Sequence, residues 1–354
     1  MWFRRAFSVL ACLGVLVPMV VIAGTGVTAR EAVDRVAIIT PASRSNQGWD
    51  QQGVDTLVAV GEERGIEVEV VENAGYDDIT PILRDLADDG VDLIICHAAG
   101  YQTVCPEFAA SDGVPVVVTE NPGAVAEGLV ADVETQAQEV AYLAGVMAAL
   151  ETNTGTVAVV VSGEPPTWNY MTAGFAQGVA DTDPGVKILY SVIGEAAYDD
   201  APNARRTTET IIAAGADIVF GMGDGATFGM IQAIREHNVD AGDGEQVRFI
   251  DVIGDKSDSD AADLLLTSVL FDYTGAFSQL IDDLDAGTFG SVYTMNLENE
   301  GVRLLDPPIE VSEETMARVD EAAQGILDGE IEVPAISDAG ELSDFLDALT
   351  EGAA

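Results

Sequence analysis

The sequence predicts an α/β protein of two lobes, each a parallel sheet covered by helices on both faces. Three observations carry this. From Val36 onward, short apolar runs alternate with stretches of helical period. Most runs are continuously apolar rather than alternating, as strands buried on both faces require. The chain has 354 residues, too many for one hydrophobic core and about right for two domains of ordinary size.

In order, the strand-like runs are RVAIIT, IEVEVV, VDLIICH and VPVVVTE, then TVAVVVS, VKILYSV, ADIVFGM, VRFIDVIG and LLLTSVLFD. Helical patterns such as DDITPILRDLADDG, TQAQEVAYLAGVMAAL, ARRTTETIIAAG and ATFGMIQAIREHN separate most of them. So many runs would strain one sheet but suit two. The stretch NPGAVAEGLVAD, with its Pro and Gly, interrupts the rhythm and marks the passage between lobes. On this reading residues 33–128 with about 255–288 form an N-terminal lobe. Residues 129–254 with about 289–335 form a C-terminal lobe, and 336–354 an acidic tail.

The first residues place Arg4 and Arg5 before an apolar stretch from Ala6 to about Ala23, with small residues through Ala29. Residues 1–29 thus read as a secretory signal or, because the apolar run is long, a retained membrane anchor. The protein is expected outside the cytoplasm, in a periplasm or on the cell surface.

Sixty-one acidic residues against 15 Lys and Arg give a formal charge of -46. Such a chain repels nucleic acid. The acids are spread along the whole length, so a single cationic partner does not account for them; a halophilic protein, kept soluble in salt that screens its self-repulsion, does. Cys96 and Cys105, nine apart, could bridge a loop in an oxidising compartment, or Cys96 could serve as a small buried hydrophobe. With two histidines in the chain, zinc has too few ligands, and no metal or cofactor is expected.

Open parallel sheets bind ligands beyond the carboxyl ends of their strands. The residues there are Ser45, Asn46, Trp49 and Asp50, then His97, Tyr101 and Gln102, then Thr119, Glu120 and Asn121. The second half adds Glu164, Trp168 and Asn169, then Asp224 and Thr227, then Asp255 and Lys256, and finally Phe271 and Tyr273. Any one of the aromatics is most simply a packing residue. Several together, among acids and amides, suit a ligand with a flat ring and hydroxyl groups, such as a nucleoside or a sugar. Gly221, Gly223 and Ala226 imitate a dinucleotide fingerprint, but Asp224 would repel a pyrophosphate. They read as turn formers, with Asp224 as helix cap or ligand acceptor. No P-loop, nucleophile elbow or zinc-protease motif is present, so an enzyme, such as a nucleoside hydrolase, is disfavoured.

Six segments in order, GWDQQGVDTL, GVDLIICHAAGY, EVAYLAGVMAAL, AGFAQGVADTDPGVKI, LLLTSVLFD and LENEGVRLLDP, make the chain resemble the basic membrane protein family of ABC-importer solute-binding proteins, which includes purine-nucleoside receptors. The resemblance runs from about Val36 to Pro307. It implies a type I periplasmic-binding fold, two lobes joined by three crossing segments and hinged around a small-molecule ligand, with a membrane permease as partner. It also implies that Trp49 stacks on a base and that Asp255, or Ser257 or Asp258 by a slip in register, holds a ribose. The chain departs from the family pattern at Asp50, where Asn is usual, and at Phe271, where Lys is usual. A membrane-anchored ligand sensor and a sugar binder remain as alternatives.

Overall fold

The computed structural model describes residues 32–242 and 244–352; the expected leader lies outside them. The chain begins with β1 (Arg35–Ile39), α1 (Trp49–Arg64), β2 (Glu67–Val71), α2 (Thr80–Asp88), β3 (Leu93–Cys96), α3 (Val104–Asp112), β4 (Val116–Thr119) and β5 (Val130–Thr135). It continues through α4 (Ala137–Glu151), β6 (Thr156–Val161), α5 (Pro166–Thr182), β7 (Lys187–Val192), α6 (Ala201–Ala213), β8 (Ile218–Met222), α7 (Thr227–Asp240), β9 (Arg248–Ile253) and β10 (Leu265–Phe271). It ends with α8 (Thr274–Ala286), β11 (Val292–Met295), β12 (Val302–Leu304), α9 (Glu313–Leu327) and α10 (Ala339–Gly352).

Two six-stranded sheets result, ordered β11-β5-β4-β3-β1-β2 and β12-β10-β9-β8-β6-β7. All pairings are parallel except β12 against β10. Burial explains the composition of each strand. β3, β4 and β8, inside their sheets, are buried at every residue, whereas β2 and β7, at the edges, are half-exposed and carry the polar residues Glu67, Glu69, Lys187 and Ser191. Each fully buried Val or Ile contributes about 1.5–3 kcal/mol relative to exposure, so the interior strands anchor the lobes.

α4 follows the first sheet and packs against α5 of the second lobe at backbone contact. A Cβ at Gly174 or Gly178 would stand 2.2 or 2.1 Å from the carbonyl oxygens of Gln138 and Tyr142, so only glycine allows this approach.

Sheet membership corrects the expected division. β5 pairs with β4, so the Pro- and Gly-bearing stretch before it is a loop within the first lobe, and the chain leaves that lobe after Thr135 rather than at 128. The sequence obscured β5 because Asp132, Glu134 and Thr135 interrupt its apolar pattern. β10 pairs with β9 and belongs to the second sheet; only α8 and β11 return to the first lobe before β12 rejoins the second. Residues 336–352 of the expected acidic tail include a helix that packs on the second lobe. α10 buries Leu342, and the Asn169 amide donates to the Ser337 carbonyl at 2.7 Å.

Cys96, at the end of β3, and Cys105, in the first turn of α3, form a disulfide with Cα atoms 6.7 Å apart. Of the two readings of these cysteines, the bridge holds; Cys96 is at the same time wholly buried.

Candidate functional site

The carboxyl ends of both sheets face each other across a cleft. Its first-lobe wall comes from the turns after β1, β2, β3 and β4: Pro41, Trp49, Asp50, Tyr76, Thr119 and Glu120 line it. The second-lobe wall comes from the turns after β6, β7 and β8, with Pro166, Trp168, Tyr198 and Asp224. Three hydrogen bonds tie the two sides. The Trp49 backbone N–H donates to Asp224 Oδ1, Lys256 Nζ to the Gln47 carbonyl and Gln52 Nε2 to the Phe271 carbonyl, each at 2.9 Å. Tyr76 and Tyr198 approach from opposite lobes, ring centroids 6.3 Å apart.

Trp49 opens α1. Its indole lies on the His97 ring at 4.8 Å and 19° between planes, and its Nε1 donates to the His97 carbonyl. In return His97 Nε2 bonds the Trp49 carbonyl at 3.0 Å; a carbonyl only accepts, so Nε2 carries the proton. Complete burial pushes the imidazole down to about 4, so it is neutral. Phe271 and Tyr273 meet the indole edge-on, and Tyr273 stacks on Phe277. This cluster backs the cleft where the chain crosses between lobes.

The acids of the cleft are held by local bonds. Asp50 accepts from the Ala42 N–H and the Asn46 amide. Glu120, whose φ of 54° is left-handed, accepts the Thr135 N–H and hydroxyl on one oxygen. Such backbone strain in a non-glycine residue is concentrated at ligand sites. Burial pushes Glu120 up to about 8 and Asp132, behind it, up to about 6. Burial, with the Asp199 charge adding to it, pushes Asp50 up to about 6, and burial, with the Asp50 charge adding to it, pushes Asp224 up to about 8. The nearby cation, Lys256, is committed to a buried ion pair with Asp251.

Six of the residues picked from sequence, Trp49, Asp50, Thr119, Glu120, Trp168 and Asp224, therefore meet at one cavity. The others are placed elsewhere. Ser45 is exposed, its hydroxyl on Ser43, and Asn46 is buried as the support of Asp50. His97 and Phe271 pack behind Trp49, because both rings are completely buried. Tyr101 lies beneath Tyr76 and donates to the Gly75 carbonyl. Asn169 points back to the carbonyls of Glu164 and Ser337. Asp255 accepts from the Ser257 N–H and lines a separate cavity with Gln47 and Lys256. Asp224 is no helix cap: its carboxylate reaches across to Trp49.

The model of the ABC transporter substrate-binding proteins called PnrA-like, the Bmp family, matches residues 33–337. The chain belongs to this family. The nucleoside-binding protein BmpA of Lactococcus lactis is 22% identical over 323 residues, covering 85% of this chain and 89% of that protein. The transcriptional activator Med of Bacillus subtilis is 23% identical over 272 residues, 76% of this chain and 81% of that one. Among solved structures, a solute-binding protein of an ABC transporter from Aeropyrum pernix superposes with a TM-score of 0.77 at 20% identity, covering 91% of this chain and 99% of that one. One from Conexibacter woesei gives 0.70 at 18% identity, covering 86% and 100%. This Bmp protein accordingly has the type I periplasmic-binding fold.

Sequence reasoning missed Tyr76 and Tyr198, which the Bmp architecture brings together. A signal was present. Each follows the second strand of its lobe in the same local pattern, AGYDD at 74–78 and AAYDD at 196–200, so the two lobes carry one turn twice.

Proposed function

We propose that the chain is the extracytoplasmic solute-binding component of an ABC importer, capturing a nucleoside or related small solute between its lobes and presenting the closed form to a permease. The observation that carries this is the cavity between the sheets, where Trp49, Tyr76, Trp168 and Tyr198 supply ring faces and Asp50, Glu120 and Asp224 supply acceptors. A base fits the first set and hydroxyl groups the second. The likeness to a protein named for nucleoside binding supports the same class. Closure is the chemistry required: a ligand that touches both lobes favours the shut form by its differential affinity, and no bond need be broken. A sugar is the second reading, favoured by the acceptors; an arabinofuranose-bound periplasmic protein from Shewanella shares the fold at a TM-score of 0.59.

The test is a thermal-shift screen of nucleosides, free bases and sugars at high ionic strength. A ligand at a hundred times its Kd stabilises by about 2.7 kcal/mol. A shift with a nucleoside is expected. A shift with sugars alone moves the assignment to the second reading, and product formation from any bound nucleoside would replace binding by catalysis.

A further inference from the structure

We propose that the solute carries a positive charge, an ammonium or a cationic nitrogen ring, held between Asp50 of the first lobe and Asp224 of the second against the aromatic walls. This rests on the solute-binding reading and assigns the charge of the ligand.

Among the described residues, three carboxylates line the cavity and no Lys, Arg or His does. Lys256 cannot fill that role: its ammonium is spent on Asp251 and the Gln47 carbonyl. Asp224 gives one oxygen to Trp49 and Glu120 one to Thr135, with no bond to the second oxygen of either among the described residues, while Asp50, whose oxygens take the Ala42 N–H and the Asn46 amide, contributes its charge. Independently, the Thr119 hydroxyl, on a residue 3% exposed that lines the same cavity, has no partner. It is a buried polar atom positioned to meet a ligand. The four rings add negative faces, and ring faces combined with carboxylates are the arrangement that holds ammonium-type cations.

Closure sharpens the point. Shutting the lobes brings Asp224, with Asp199 beside it, toward Asp50, and removes water from like charges. Something must neutralise them: protons from solvent, or the ligand itself. A cation does so without protonation, and so favours the closed form. The titratable groups around the pair are Tyr76 and Glu120 on the first lobe, with Asp132 behind, and Glu195, Tyr198, Asp199, Asp200 and Lys256 on the second. Affinity for a cation therefore rises with pH as the carboxylates deprotonate. Affinity for a neutral ligand, which must draw protons in, falls.

Isothermal calorimetry on the full chain with two matched pairs tests this: adenosine against adenosine methylated on its pyrimidine-ring nitrogen, a cation at neutral pH, and choline against its neutral carbon isostere, dimethylbutanol. At least one cation is expected to bind about tenfold or more tightly than its neutral partner, with the preference growing from about pH 6 to about pH 8. Asp224→Asn, which keeps an oxygen for the Trp49 N–H, and Asp50→Asn should each shrink that preference. Adenosine binding as tightly as its methylated form, with choline unbound, overturns the inference and leaves the nucleoside reading standing. Choline binding alone upholds the charge and removes the nucleoside. Failure of both cations to bind, or an unchanged preference in both Asn variants, overturns it.

Discussion

Trp49 and His97 lie face to face, 4.8 Å between ring centroids, and each bonds the other's backbone carbonyl. The sequence reading set stacking on a ligand against packing in the lobe as alternatives for Trp49. The structure gives one face of the indole to His97 while the same residue lines the cleft, so packing in the lobe is compatible with the stacking role that the next experiment tests.

Trp49→Ala should accordingly weaken ligand binding by roughly 1–3 kcal/mol and destabilise the protein by about 3 kcal/mol. Trp49→Phe, which keeps a ring on His97 but loses the indole N–H, should recover most of the affinity. Calorimetry and a denaturation midpoint on both variants check this. Unchanged affinity in Trp49→Ala would remove the stacking role.

Reducing the Cys96–Cys105 bridge, or replacing both cysteines by Ser, should cost about 2–3 kcal/mol by the loop-closure estimate for a nine-residue separation. The loop closed by the bridge holds Tyr101, whose hydroxyl supports the turn before Tyr76. Ligand affinity should therefore fall along with the melting temperature. Equal melting temperatures with and without reductant, once free thiols are shown by mass, would count against a structural role.

The alternation of strand and helix was legible because interior strands such as β6 and β8 must be apolar throughout, and because turns after parallel strands collect polar and aromatic residues. What the sequence could not show is direction. His97, Phe271 and Trp49 all sit at strand exits or helix starts, yet only Trp49 reaches the cleft wall, since rings at a crossing between lobes can turn into the core. Lobe membership was hidden for a similar reason. β5 carries Asp132 and Glu134 beside β4 and β3, which are buried throughout, and the Asp132 carboxylate is used to hold the Asn121 N–H rather than to face water.

Glu120 fixes a pH dependence. Its carboxyl titrates at about 8 in the folded protein against an ordinary 4.5, chiefly through burial. The folded state then holds the proton more tightly than the unfolded chain, so this group's stabilisation is present below about 4.5 and is lost as pH rises through about 8. The melting temperature should fall by several degrees between pH 5 and pH 8, roughly the span of that window. Glu120→Gln keeps an oxygen for Thr135, and should be more stable than the parent at the upper end and flatten the slope. A parent-like slope in the variant would assign the dependence to other acids.

The formal charge of -46 predicts a salt requirement. Repulsion among surface acids reaches tens of ångströms in dilute buffer and only a few in molar salt, so compactness and melting temperature should rise between roughly 0.05 and 2 M salt. Circular dichroism and scattering follow this directly. Identical curves across that range would remove the halophilic reading.

The final prediction concerns Gly48, immediately before α1. A Cβ there would stand 2.4 Å from Asp224 Oδ1 and 3.0 Å from the Asp224 Cα. Rotating the Asp224 side chain away would give up its bond to the Trp49 N–H, and the backbone contact asks for a further shift of a few tenths of an ångström, so the extra methyl works against the shut form. Those contacts cross the cleft and vanish when it opens, because Gly48 belongs to the first lobe and Asp224 to the second. Gly48→Ala should therefore leave each lobe folded and the ligand-free melting temperature nearly unchanged, while shifting the ensemble toward the open form. Apparent affinity then falls in proportion to the closed fraction, and we expect a loss of about tenfold or more. Small-angle scattering should show a larger radius of gyration for the variant in the presence of ligand. Asp224→Gly in the same chain removes the clashing carboxylate and frees its backbone to shift, and should recover closure in the scattering while affinity stays low for want of the Asp224 acceptor. Normal affinity and a closed profile for Gly48→Ala alone would mean that the Trp49–Asp224 contact does not form when the lobes shut.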